Sequence, residues 1–330
     1  MARSGLRALC AAVLLTALSG FAQNVKGTID FTTFAGGANV HNVSFTYDPG
    51  VSLTLGSVVN LNPTPGADGL LFDPLIKNPT LMVAGQSTGF LSEELATSGP
   101  VTSVNVGSAF QSYHLALNST NTAVWNMANG QNAFISVVPL PFGSAGTSFP
   151  VTGNDTDIRG VIFDPLTSQY YYTTAPDGGT GNFGSIVFNG SSFVTTRIAS
   201  GLFAHGISFD PFTGNLFVNS ANHIQQIRPD GTVVGQITTS GDTFDQAAEN
   251  GKGLLFVASN NGNLFFADYA ATKNISTATF TSEQFLDPAL DDIAPLSGSG
   301  SRTTPEPSSL LLLASGAVGL AGIVRRRLAK

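Results

Sequence analysis

One six-residue pattern occurs three times in this chain, and its spacing restricts the possible folds more than any other feature. It reads Gly69-Leu70-Leu71-Phe72-Asp73-Pro74, Gly160-Val161-Ile162-Phe163-Asp164-Pro165 and Gly206-Ile207-Ser208-Phe209-Asp210-Pro211. Phe163 and Phe209 are 46 residues apart, and Phe72 and Phe163 are 91 apart, so a degenerate copy is expected midway, where Leu115-Ala116-Leu117-Asn118 stands. Leu254-Leu255-Phe256-Val257 matches Asn215-Leu216-Phe217-Val218 and puts a fifth anchor at Ala248; Asp292-Ile293-Ala294-Pro295 supplies a sixth. A fixed period of this length marks a repeat architecture, in which each unit is too small to hide its own apolar faces.

Within a unit the pattern predicts four short strands. In the copy from Gly206 these cover 206–209, 216–220, 224–227 and 232–237, with Asp210-Pro211 and Pro229-Asp230-Gly231 as turns. Proline fixes φ at the second turn position, aspartate accepts backbone N–H bonds, and glycine takes a left-handed position. The copy from Gly160 repeats this over 170–174, 185–189 and 193–199. Four strands per unit of about 46 residues make the blade of a β-propeller. The body, residues 23–296, therefore predicts an all-β propeller of about six four-stranded blades. The final strand, near Asp292, is expected to complete a blade whose other strands come from 27–33 and 42–47.

Composition agrees: charged residues are 11% of the chain, against 37 glycines, too few for a salt-bridged helical bundle. Six of the 14 basic residues lie at the ends, leaving the body near −12, which excludes nucleic acid as a natural partner.

The ends read as addresses. Residues 1–22 carry Arg3 and Arg7, an apolar run and small residues at Gly20 and Ala22, the layout of a secretory signal peptide. Cys10, the single cysteine, lies inside it, so the mature chain is expected to form no disulfide. Residues 297–304 read as a Gly/Ser/Thr linker. Residues 305–330 follow with Pro305-Glu306-Pro307, a 17-residue apolar stretch at 308–324 that reads as a transmembrane helix, and Arg325-Arg326-Arg327, which should stay cytoplasmic. This tail resembles the PEP-CTERM sorting signal of Gram-negative bacteria. The resemblance implies export across the inner membrane, a transient membrane anchor, an exosortase as processing partner, and delivery to the cell surface or extracellular matrix. The body copies from 160 to 268, with Gly214-Asn215-Leu216-Phe217-Val218 and Gly262-Asn263-Leu264-Phe265-Phe266, resemble the NHL, YncE-like and gluconolactonase-type propellers, a group of lactonases, lyases and binding modules.

The first strand of each blade lines a propeller's axis, so residues before the anchors form a ring around the channel. Counting four back gives Asp68, Tyr113, Arg159, His205, Phe244 and Asp291, with His114, Asp157, Asp245 and Asp292 as neighbours. The expected ligand-binding ring is Asp68, His114, Arg159, His205, Asp245 and Asp291: a divalent cation such as calcium on Asp68, Asp245 and Asp291, or an anion or sugar on Arg159 and His205. Asp73, Asp164 and Asp210 read as turn residues, Asn154-Asp155-Thr156-Asp157 as a loop, Trp125 as inter-blade core, and Tyr170 and Tyr172 as exposed rings able to stack on glycans. No catalytic motif occurs. The sequence favours a non-catalytic surface module that binds exopolysaccharide or a surface protein, and the alternative is a secreted metal-dependent lactonase or lyase. Gluconolactonase-type enzymes place a glutamate at the start of one first strand, where this chain has Asp or His.

Overall fold

The alternating turn and apolar segments fold as strands nearly throughout. The computed structural model describes residues 23–34, 39–61, 64, 66–76, 80–86, 89–95, 102–106, 112–128, 133–288 and 290–301. The signal peptide expected at 1–22, and the Pro-Glu-Pro triplet, apolar span and arginine cluster of 305–330, lie outside these residues. Among them there are 25 strands and one 3₁₀ turn, Ile275–Thr277, in agreement with the all-β reading.

The strands form six meanders. The first has β1 (Val25–Thr33), β2 (Val40–Asp48), β3 (Ser52–Leu55) and the short β4 (Val59–Asn60). The second has β5 (Ala67–Phe72), β6 (Thr80–Gly85), β7 (Phe90–Leu95) and β8 (Thr102–Asn105). The third has β9 (Ser112–Leu117), β10 (Ala123–Ala128), β11 (Phe134–Pro139) and β12 (Thr147–Gly153). The fourth has β13 (Gly160–Asp164), β14 (Gln169–Thr173), β15 (Gly181–Phe188) and β16 (Phe193–Leu202). The fifth has β17 (Gly206–Asp210), β18 (Asn215–Ser220), β19 (His223–Ile227) and β20 (Val233–Thr238), and the sixth β21 (Phe244–Glu249), β22 (Leu254–Ser259), β23 (Asn263–Asp268) and β24 (Phe280–Phe285). The last strand, β25 (Leu290–Ile293), returns to pair antiparallel with β1, with Phe31 opposite Ile293. A parallel pairing of β12 with β16 joins the outer edges of the third and fourth meanders.

Packing closes these sheets on themselves. β5 packs against β9, β9 against β13, β13 against β17, β17 against β21, β21 against β25, and β25 against β5. Each of the six apolar clusters lies between two successive sheets: Phe31 and Phe45 meet Phe256 and Phe266, for example, and Trp125 and Met127 meet Tyr172 and Phe193. A thin sheet exposes two apolar faces, and burying each large side chain is worth about 1.5–3 kcal/mol, so a circuit in which every face has a partner leaves none to water.

The motif residues have separate tasks. Asp73, Asp164 and Asp210 accept the backbone N–H two residues on, as turn aspartates do. The leading glycines let neighbouring inner strands approach: a Cβ on Gly69 would stand 2.7 Å from the Cα of His114, and one on Gly206 would collide with the carbonyl oxygen of Asp245. Gly206→Ala is therefore expected to destabilise the protein by about 1–3 kcal/mol in urea unfolding, because the opposing atom is backbone and cannot swing aside. An unchanged midpoint would contradict this packing.

Two side chains and one segment are held by packing that the sequence did not show. Tyr172 is fully buried between the third and fourth meanders, and its hydroxyl donates to Asp155, so it is no glycan platform. Asp155, in the segment read as a loop, is clasped by Arg197 and Asn182 and pins that loop to the sheet. The segment read as a linker begins folded: the N–H of Phe72 donates to the carbonyl of Gly300 at 2.8 Å, next to the C-terminal end of β5.

Burial of Glu93 on β7, with Asp73 beside it, pushes its carboxyl from 4.5 up to about 7. The folded chain thus holds a proton that the unfolded chain releases near 4.5, so stability declines as pH rises through that window and stays reduced above it. Glu93→Gln should raise the melting temperature relative to the parent at about pH 8 and leave it little changed at about pH 4.

Candidate metal centre at the axial mouth

Four inner strands share one irregularity. Against their partners, β5, β9, β21 and β25 each insert an extra residue: between Ala67 and Leu70, Ser112 and Leu115, Phe244 and Ala247, and Leu290 and Ile293. These are β-bulges, which re-aim side chains. The residues inside them are Asp68 and Gly69, Tyr113 and His114, Asp245 and Gln246, and Asp291 and Asp292. Repeated around the axis, the bulges bring polar groups from four strands to one end of the channel. β13 and β17 pair regularly, and His205 reaches the cluster from the residue just before β17.

His114 is at the centre. Its Nε2 lies 3.3 Å from Asp245 Oδ1, 3.4 Å from Asp292 Oδ2 and 3.8 Å from Asp68 Oδ1. The Nε2 of His205 lies 3.1 Å from the same Asp245 oxygen, 3.0 Å from Asp177 Oδ1 and 2.8 Å from the Tyr113 hydroxyl. Both imidazoles are oriented from behind: Nδ1 of His114 donates to the Arg159 carbonyl at 3.0 Å, and Nδ1 of His205 to the Ala175 carbonyl at 2.8 Å. A carbonyl only accepts, so each Nδ1 carries the hydrogen and each Nε2 is aimed inward, the arrangement of metal-binding histidines. His114, His205, Asp68, Asp245 and Asp292 are at most 2% exposed.

The hydrogen bonding of this cluster is incomplete. Nε2 of His114, Oδ1 of Asp245, Oδ1 of Asp292 and Oδ2 of Asp291 are buried without a hydrogen bond of good geometry. Orphaned buried polar atoms cost about 1–3 kcal/mol each and are rare in native proteins. Four of them together mark a position for a cation. The ligand atoms of His114, His205 and Asp245, and those of Asp68, His114 and Asp292, lie within 4.8 Å of one another. Bonds of about 2.0–2.1 Å to a tetrahedral ion place its ligands about 3.3–3.4 Å apart, close to the spacings around His114 Nε2.

Electrostatics fits the same picture. Burial disfavours protonation of His114, but Asp292 and Asp245 outweigh it and hold the imidazole well above its ordinary range. Burial likewise opposes protonation of His205, while Asp245 and Asp177 push it up to about 9. Burial and Asp292 raise Asp68, and burial with Asp68 and Asp245 raises Asp291, whereas the two imidazoles overcome burial to hold Asp245 far below the usual carboxylate range. Without an ion, protons supply the positive charge that these carboxylates need.

The centre opens into a cavity of about 430 Å³, bordered by Phe34, Gln86, Tyr113, Asp177, Asn260 and Leu290. This is the size of a small-molecule site.

Of the ring expected from sequence, Asp68, His114, His205, Asp245 and Asp291 gather at this mouth. Arg159 does not point at them. Its guanidinium turns to Asp157 at 3.2 Å and lies 5.9 Å over the Tyr113 ring. The expected anion pocket on Arg159 and His205 is replaced by an acidic one. Asp177 was missed: it enters from the loop after β14, and only its position in the turn Pro176-Asp177-Gly178 hinted that it projects from a strand end.

Comparison with known proteins completes this description. Residues 303–327 match the PEP-CTERM protein-sorting motif. No curated protein matches the chain. Among solved structures the body is similar to a streptogramin B lyase (9% identity, 84% of this chain and 93% of that one, TM-score 0.52). It is also similar to virginiamycin B lyase from Staphylococcus aureus (9%, 80% and 89%, TM-score 0.51). A third is the PQQ-bound aldose sugar dehydrogenase from Streptomyces coelicolor (13%, 84% and 90%, TM-score 0.51). At these identities the likeness is one of fold. The chain is thus a β-propeller protein carrying a PEP-CTERM tail, and the tail implies exosortase processing with export and sorting to the cell surface.

Proposed function

We propose that this protein is a six-bladed, surface-sorted propeller whose axial pocket holds a divalent transition metal and acts as a metal-dependent lactonase or lyase on small uncharged substrates. Two histidines oriented from behind, with buried carboxylates around them whose hydrogen bonding is incomplete, support this reading above a bare scaffold. Two imidazole nitrogens with carboxylate oxygens suit zinc, manganese or iron, whereas calcium takes oxygen ligands alone. The ion supplies a Lewis acid for a carbonyl or leaving-group oxygen. His114 would hold it, either with His205 and Asp245 or with Asp68 and Asp292, the two groupings whose ligand atoms lie within 4.8 Å of one another. Tyr113 and Asp177 face the cavity and position the substrate's polar groups, while the acidic wall repels carboxylates and phosphates.

Residues 1–22 act as the export signal, and 308–324 with the arginine cluster as the temporary anchor. Elemental analysis of the purified full-length chain should return about one equivalent of zinc, manganese or iron, and a panel of aliphatic lactones and elimination substrates should be turned over in a chelator-sensitive way. Protein that stays metal-free after incubation with all three ions would remove the reading. The second reading, a polysaccharide- or protein-binding module, is favoured by a cleft on the other face.

A further inference from the structure

On the face away from the metal centre, the third and fourth meanders part to leave a cleft of about 440 Å³. It lies between the turn after β9 and the turn after β13, at the C-terminal ends of the inner strands, whereas the metal residues cluster at their N-terminal ends. Trp125 is 4% exposed and forms the floor, with Tyr170 stacked against it at a centroid distance of 4.3 Å and Phe188 at 6.3 Å, so the half-buried rings of Tyr170 and Phe188 are the aromatic surface the cleft presents. Ser168, Gln169 and Ser185 are among the groups at its border, and among the described residues no charged one borders it.

The turn carrying Ser168 is unusual. The fifth meander has Gly214 at the matching position, with φ of 74°, and glycine suits that left-handed conformation. Here a serine holds φ of 56°, a strained choice that keeps a hydroxyl on the lip of the cleft.

We propose that this cleft binds a segment of uncharged polysaccharide. Aromatic faces offer apolar area to the C–H faces of sugar rings, and neutral amide and hydroxyl groups match sugar hydroxyls. The absence of charge along the lining disfavours anionic polymers and phosphate-bearing ligands. The site is independent of the metal centre, so the two can be tested apart.

Trp125 is the only tryptophan in the chain, which makes its emission a direct report on the cleft. Full-length protein in a detergent without a sugar headgroup is titrated with cellohexaose, laminarihexaose and chitohexaose, and with polygalacturonate as an anionic comparison. A saturable emission change is expected with at least one neutral hexasaccharide and none with polygalacturonate. Gln169→Ala, at the exposed first position of β14, should weaken that binding roughly fivefold, the loss of one hydrogen bond. Ser185→Phe should fill the cleft and abolish binding while leaving the metal content unchanged. No saturable change with any neutral oligosaccharide, equal binding of polygalacturonate, or binding indifferent to both substitutions would each overturn the proposal.

Discussion

Adding zinc or manganese to metal-free protein is expected to raise its melting temperature by roughly 5–10 °C, and His114→Ala is expected to lose that response entirely. An ion at a hundred times its dissociation constant stabilises the native state by about 2.7 kcal/mol, and each kcal/mol is about 2–4 °C for a chain of this size. His114 is the residue of choice because it belongs to both groupings of ligand atoms. Asp292→Asn is a second test with the imidazole left in place, and it should weaken the response strongly. The pH dependence has a definite sign. Protons occupy the imidazoles of the metal-free protein, His205 up to about 9, so the metal must displace them, and its apparent affinity should rise with pH toward that value. A melting temperature indifferent to metal, or a His114→Ala protein that responds like the parent, would exclude the centre.

The second large effect concerns closure of the ring. Ile293→Asp should destabilise the protein by about 4 kcal/mol or more, enough to lower the melting temperature by roughly 10 °C. Ile293 is 1% exposed, sits opposite Phe31 and packs in the cluster that joins the first and sixth meanders. A carboxylate there would be buried without a partner. The same residue introduced at Val194, which is 38% exposed on β16, should shift stability by no more than about 0.5 kcal/mol. Because β25 also carries Asp291 and Asp292, Ile293→Asp should lower metal uptake along with stability. If the two substitutions prove equally mild, β25 is not the strand that closes the circle.

Much of the architecture could be read from the sequence because each unit solves the same local problem with the same residues. The Gly-x-x-Phe-Asp-Pro pattern encodes a close strand approach, a core side chain and a turn, and all three are short-range demands. The first meander lacks the pattern because its inner strand, β25, is supplied from the far end of the chain. The site was harder to read. Counting back from Phe72, Phe209 and Pro295 reaches Asp68, His205 and Asp291, but the same count from Leu117 and Ala248 stops at Tyr113 and Phe244, one short of His114 and Asp245. A bulge presents two successive residues where a regular strand presents one, and its presence depends on the pairing strand, which the repeat does not show. Arg159 and His205 hold the same place before two regular strands, yet only His205 reaches the cluster, so position in the repeat does not decide which way a side chain turns. Asp177 stands on a loop of a second strand, outside any count along the first.

The hydrogen bond from Phe72 to Gly300 fixes where the chain departs from the body. That point is beside the C-terminal end of β5, while Asp68, at the other end of the same strand, belongs to the metal cluster. Four residues of extended chain separate the two, about 13 Å through the thickness of the disc. A tether at 308–324 would therefore pull on the underside and leave the acidic opening turned to the outside medium. On the function proposed above, the pocket would be open to its substrate before the exosortase acts, and cutting the tail would change how far the protein travels without changing what it can reach.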